Sequence, residues 1–181
     1  MVDTLFETAR LGCRHLDESD LAALYEVYSD PLAMRWVGDG SPISRPECKA
    51  WLTRTLENYA NRGYGMFALV EHATGQVIGF AGLVHPDDQA EAEIKYAFLR
   101  SYWGQGFASE IVRALLEAAQ NQFGLDLVIA TVAPENRASQ RVLEKAGAVD
   151  VGLQPGEELA GTRRYEWRSA RTGELSVSSA T

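Results

Sequence analysis

Hydrophobic positions change their period several times along the chain. The stretch Ala9–Leu16 reads as a short strand, and behind the acidic segment Asp17–Asp20 the positions Leu21, Leu24 and Tyr28 recur at helical spacing. Ser44 stands three residues before Glu47, the arrangement in which each side chain caps the other's backbone N–H. Cys48, Trp51, Leu52, Thr55, Leu56 and Tyr59 then share one face of a second helix that ends at Gly63. Two apolar runs flank His72–Gln76, and Ala92–Leu99 is a third, which predicts a three-strand antiparallel meander.

Beyond Gly106 the positions Ala108, Ile111, Val112, Leu115, Leu116, Ala119 and Phe123 return to helical spacing and stop at Gly124. Leu127–Ala133 reads as a buried strand. Glu135–Ala148 makes another short helix with Val142, Leu143 and Ala146 inward, and strands follow around Val149–Leu153 and Thr162–Arg168. The pattern amounts to an α/β (α+β) domain over residues 1–170, with about four helices and about seven strands. Residues 171–181 are polar, small and without period, as expected of a disordered tail.

Composition narrows this picture. A chain of 181 residues is long enough to bury one core without metals or disulfides. The net charge is -8 and no lysine or arginine run occurs, so neither a nucleic-acid nor an anionic-membrane partner is expected. Cys13 and Cys48 lie far apart, as buried free thiols of a reducing compartment would, and no apolar stretch suggests a signal peptide; a cytoplasmic location is the expectation. His15, His72 and His85 are too scattered for metal-ligand spacing, so no metal is expected.

The chemistry concentrates in "RSYWGQGFASE", Arg100–Glu110. A strand, then Ser101–Gly106, then a helix aims backbone N–H groups and the positive end of a helix dipole at one point, which suits phosphate. A single Gly-x-Gly is also what a tight strand-to-helix turn with no ligand requires. A dinucleotide fold would place the glycines after the first parallel strand, and a phosphate loop would carry Gly-Lys-Ser/Thr; neither fits. Asn136–Ser139 heads the next helix one strand later, which brings both loops to one sheet end, where neighbouring sheets splaying apart would leave a slot. Tyr102 and Trp103 read as packing groups, with Trp103 wedging the loop against the first helices.

With these segments in hand, the chain resembles the GNAT superfamily of acyl-CoA N-acyltransferases, and in particular its Rim-type, ribosomal-protein N-terminal acetyltransferase branch. The resemblance covers roughly Thr8–Arg168 and rests on "RLGCRHLDESDLAALYEVYSDPLAMRWVG", "GYGMFALVEHATGQVIGFAGL", "AEIKYAFLRSYWGQGFASEIV" and "VAPENRASQRVLEKAGA" in the family's order. It implies a mostly antiparallel mixed sheet splayed at the cofactor site and acetyl-CoA as acyl donor. The pattern Q/R-x-x-G-x-G/A that wraps the pyrophosphate falls on Ser101, Gly104 and Gly106, with Gln105, Phe107, Ala108 and Ser109 in and behind the loop; Ser101 departs from the usual Gln or Arg. Main-chain groups around Phe98 and Leu99 would pair with the pantetheine, and an N–H at a bulge of that strand would face the thioester oxygen. Asn136 matches the asparagine that binds pantetheine and Ser139 the serine near the sulfur, both residues also suiting a helix cap.

The chemistry so implied is direct attack of an amine on the thioester through a tetrahedral oxyanion, with a base for the amine and a proton for the sulfur. Glu157 and Glu93 are the candidate bases, Glu158 adding an ambiguity of one position, and either is equally a surface charge. Leu143 stands where many superfamily members carry an acidic tyrosine, which leaves Ser139 or water for the sulfur. An α-amine is neutral in roughly one molecule in ten at pH 7, a lysine amine in about one in a few thousand, so an α-amine needs only a weak base. The acceptor implied is a protein or peptide N-terminus; polyamines, antibiotics and amino-acid derivatives are the alternative. A non-catalytic CoA-binding module is the rival from another class, motivated by Leu143 and Ser101. Hydroxyl acetylation would need a stronger base than these residues offer. Dimers are common in the family, so a homodimer is a further implication on which composition is silent.

Overall fold

The computed structural model describes residues 4–154 and 161–170. Its strands are β1 (Thr4–Glu7), β2 (Leu11–His15), β3 (Met66–Glu71), β4 (Val77–Val84), β5 (Ala92–Phe98), β6 (Leu127–Val132), β7 (Val149–Gln154) and β8 (Thr162–Arg168). The helices are α1 (Leu21–Tyr28), α2 (Pro31–Met34), α3 (Arg45–Arg62), α4 (Phe107–Asn121) and α5 (Arg137–Lys145). All eight strands form one sheet in the order β1-β2-β3-β4-β5-β6-β8-β7. This is the mostly antiparallel mixed sheet that the resemblance implies, β5–β6 being its parallel pair.

Two elements escaped the hydrophobic pattern. β1 is a four-residue edge strand paired only to β2, too short to show alternation. α2 is a single turn started by Asp30, whose side chain accepts from Leu32 N–H at 2.9 Å, with Pro31 at its first position. The longer elements follow their sequence signals. The Ser44–Glu47 capping box closes in both directions, and Gly63 ends α3 in the left-handed conformation. Cys48, Leu52 and Thr55 are buried on the predicted face.

The meander β3-β4-β5 is antiparallel as read from the sequence. It separates two cores. On one face Ile111, Val112, Leu115 and Leu116 of α4 and Leu143 of α5 pack against Leu69, Ile78, Leu83 and Ile94. On the other, Leu24, Val27 and Tyr28 of α1 and Leu52 of α3 cover Met66, Ala68 and Phe80. Both cysteines are free and buried, and burial pushes the Cys13 thiol far up, so it stays protonated and inert.

Candidate active site

A gap opens in the middle of the sheet. β5 and β6 are parallel neighbours, yet they pair only at Ala92 with Val128 and Glu93 with Ile129 before parting. Parting leaves backbone groups without a ladder partner, and Glu93 takes one of them: its Oε1 accepts from Thr131 N–H at 3.2 Å. The same carboxylate is bonded by the Thr131 hydroxyl and Lys95 Nζ, and Gln89 Nε2 reaches its other oxygen at 3.3 Å. Glu93 is 2% exposed and stands at the root of the gap, not on the cavity wall. Glu157 and Glu158, like the tail 171–181, lie outside the described residues.

A cavity of about 1340 Å³ runs through the gap. Register decides what β5 offers it. Leu99 N–H is bonded to Ile78 O at 2.9 Å on the β4 side and Leu99 O accepts from Tyr102 N–H at 3.0 Å, so the Leu99 N–H is committed to β4. By the alternation of an antiparallel ladder, the groups of Tyr96 and Phe98 turn the other way, into the gap. The expected bulge is absent, since Glu93–Phe98 pair with Gly79–Val84 without a shift. Trp103 is 44% exposed and does not wedge the loop against the helices; it lines the cavity, and its indole N–H binds Phe98 O at 2.9 Å. Arg100 instead ties this corner to the helices, Nε lying 3.0 Å from Asp30 Oδ2.

Gly104 and Gly106 both adopt positive φ, 71° and 85°, the conformation in which side chains are strained. They turn the chain so that α4 begins at Phe107 with no side-chain cap. Its first N–H groups, through Ser109, have no partner within the helix and face the cavity, which Gly104, Gly106, Phe107, Ala108 and Ser109 line. Ser101 and Gln105 do not line it. Gln105 closes the loop from within, its Nε2 donating to Ser101 O at 2.8 Å.

Behind the loop stands a brace that the sequence pattern did not reveal. Arg10 donates from Nη1 to Gln105 O at 2.9 Å and from Nε to Glu110 Oε2 at 2.7 Å, and lies 4.0 Å over the Phe107 ring. Glu110 also accepts from Arg10 N–H and Thr8 Oγ1 at 2.8 and 2.5 Å. Burial alone would raise Glu110, but these hydrogen bonds outweigh it and hold the carboxyl below its usual range. A negative group in the first turn of α4 is thus turned away from the ligand side.

Across the gap, Asn136 caps α5 by accepting from Ser139 N–H at 3.2 Å, which leaves its amide N–H groups as the donors it can offer a ligand. Gln140 is buried and fixes the turn before the helix through Ala133 O and Pro134 O at 3.3 and 2.8 Å. Ser139 Oγ meets the Tyr96 hydroxyl at 2.5 Å. Burial pushes the Tyr96 phenol up to about 12, with Ser139 partly offsetting it, so the phenol stays protonated at neutral pH. Leu143, as expected, is a buried core residue with no proton to give.

The far end of the cavity is walled by α2, α3 and the β4–β5 connection. His85 lines it; its Nδ1 faces Gln89 O at 2.9 Å, which only a donor can bond, so in the neutral ring Nε2 accepts from the Tyr64 hydroxyl at 2.9 Å. Asp39, Glu57, Asp87 and Asp88 stand there against Arg54 and Arg62. Among the described residues no His, Cys, Asp and Glu cluster suited to a metal occurs, and no helix is long and apolar enough to cross a membrane.

Comparison with known proteins agrees with this geometry. The family described as acetyltransferase (GNAT) domain matches residues 10–149. The chain belongs to the GNAT acetyltransferase family. It is 30% identical to an uncharacterized N-acetyltransferase p20 of Bacillus licheniformis, over 90% of this chain and 91% of that one. An acetyltransferase from Agrobacterium tumefaciens superposes with TM-score 0.77 at 26% identity, over 93% and 96% of the two chains. The fold is shared with RimL, a ribosomal L7/L12 α-N-protein acetyltransferase solved with coenzyme A, at 19% identity and TM-score 0.78 over 92% and 98%. It is shared too with spermidine N-acetyltransferase from Vibrio cholerae, solved with CoA and spermine, at 18% and 0.72 over 87% and 95%. As a GNAT enzyme the chain is an acetyl-CoA-dependent N-acetyltransferase. Its residues fit that donor: unpartnered N–H groups and a glycine turn suit a pyrophosphate, and the open edge of β5 suits an extended amide-bearing arm.

Proposed function

We propose that the protein transfers acetyl groups to a protein or peptide N-terminal α-amine: the parting of β5 and β6 supports donor binding, and with Glu93 committed to Thr131, Lys95 and Gln89 an amine already partly neutral at pH 7 is the acceptor that needs least from the protein. The loop Gly104–Ser109 holds the pyrophosphate, with Gln105 and Ser101 supporting it from within. The edge at Tyr96 and Phe98 pairs with pantetheine, and the Asn136 amide donates to it. Acetyl-CoA supplies an activated acyl carbon. Ser139 serves the departing sulfur. Of the two candidate bases, Glu93 is committed to Thr131, Lys95 and Gln89, which favours Glu157, or water, as the acceptor of the amine proton. A small-molecule amine is the second acceptor reading, favoured by Asp39, Glu57, Asp87 and Asp88 on the acceptor walls, where a second cationic group would be welcome.

Thiol release from acetyl-CoA, followed across peptide N-termini, polyamines and aminoglycosides, tests this. Preference for peptides supports the α-amine reading, and preference for polyamines replaces it with the second. Silence with every amine, together with retained CoA binding, would make the chain a non-catalytic CoA module.

A further inference from the structure

Tyr96 has no role in any sequence pattern, yet it lines the cavity beside Ser139. It projects from the middle of β5 into the cavity, opposite the head of α5, and among the described residues its hydroxyl and that of Ser139 are each other's hydrogen-bond partner, 2.5 Å apart. Two hydroxyls sharing one hydrogen bond have two arrangements, and acidity selects between them. A phenol ionises near 10, whereas an aliphatic hydroxyl is roughly as weak an acid as water. The phenol is the better donor, and burial keeps its proton in place. Either hydroxyl can donate, and acidity favours the arrangement in which the phenol donates to Ser139 Oγ.

We propose that Tyr96 is a positioning residue for acetyl transfer: by donating to Ser139 Oγ it turns the serine hydrogen into the gap, toward the departing sulfur. This rests on Ser139 lying beside the sulfur, as read above. When the amine nitrogen bonds to the acyl carbon and the C–S bond breaks, the electron pair passes to sulfur and the amine proton leaves to its base. Ser139 meets the forming thiolate with an O–H already aligned, and the sulfur takes its proton from water afterwards. Tyr96 and Ser139 keep their own protons throughout. Full transfer from serine would run uphill, since a thiol, ionising near 8.5, is a far stronger acid than an aliphatic hydroxyl. An aligned donor chain is what the pair can supply.

Tyr96→Phe removes one oxygen and leaves the ring. With the amine that gives turnover, kcat should fall about tenfold, the worth of one hydrogen bond in the transition state, while KM for acetyl-CoA and Kd for CoA stay within about twofold. Ser139→Ala should fall at least as far, and the double variant should be no slower than Ser139→Ala alone. A further tenfold loss in the double variant, a raised acetyl-CoA KM in place of a lowered kcat, or a Tyr96→Phe kcat within about twofold of the parent overturns the role of Tyr96 and leaves the reading of the cavity standing. A parent protein without turnover, or a Ser139→Ala variant at the parent rate, overturns that reading and the proposal with it.

Discussion

The glycine loop and the acceptor walls border one cavity and are built in opposite ways. Behind the loop, Arg10, Thr8, Glu110 and Gln105 form a connected set of hydrogen bonds that joins the β1–β2 connection, the loop and α4. At the acceptor end, Leu32 and Trp36 are 48% and 39% exposed, Arg35 lies over the Trp36 ring, and Asp87 and Asp88 hold positive φ in a short connection. Backbone N–H groups recognise phosphate only if the backbone is held still, whereas an acceptor is chosen by side chains that can change without moving the sheet. One end is shaped by what every donor shares, the other by what one amine requires.

The comparison would break first at the glycines. Gly106→Val forces a β-branched residue into φ 85°, and acetyl-CoA affinity is expected to fall about a hundredfold by calorimetry, with about 1–3 kcal/mol lost from stability. A variant that binds normally would mean that the loop does not hold the donor.

Next in size is Glu93. Glu93→Ala leaves Thr131 N–H and Lys95 without their buried partner and should cost about 2–3 kcal/mol in urea unfolding. Glu93→Gln keeps an acceptor and should retain turnover within about threefold, whereas Glu157→Gln should slow it about a hundredfold below pH 7 if that carboxylate takes the amine proton. Reversed results would make Glu93 the base and the gap's brace at once.

Arg10→Ala should weaken CoA binding about tenfold and leave the acceptor KM unchanged, since the brace touches the loop and not the acceptor walls. A changed acceptor KM would erase the division between the two ends.

A smaller effect concerns acid. Glu110 is held below its usual range in the folded chain, so its contribution is complete above the unfolded value, roughly 4.3, and is lost as pH falls through the folded one. Melting temperature from pH 6 to 3 should therefore drop less steeply in Glu110→Gln. Smallest is Asp87→Gly at the acceptor end: relief at φ 50° should hold stability within about 1 kcal/mol of the parent.

Local signals in the chain carried most of the architecture. The 3.6-residue spacing of Ile111, Leu115 and Ala119, the Ser44–Glu47 box and the meander from Met66 to Phe98 each depend on neighbours a few residues apart, so the sequence displays them directly. Gly104, Gly106 and Asn136 were legible for the same reason, because turn and cap geometry is local. What only the tertiary structure decided are contacts between distant positions: Arg10 with Gln105 and Glu110, 95 and 100 residues away, and Tyr96 with Ser139, 43 residues away. It also decided that Leu99 faces β4 while Phe98 faces the gap, because a shift of one residue in register exchanges the two sides of a strand. Period and capping are properties of a segment; which side chains meet across the gap depends on strand order, register and the point at which β5 and β6 part.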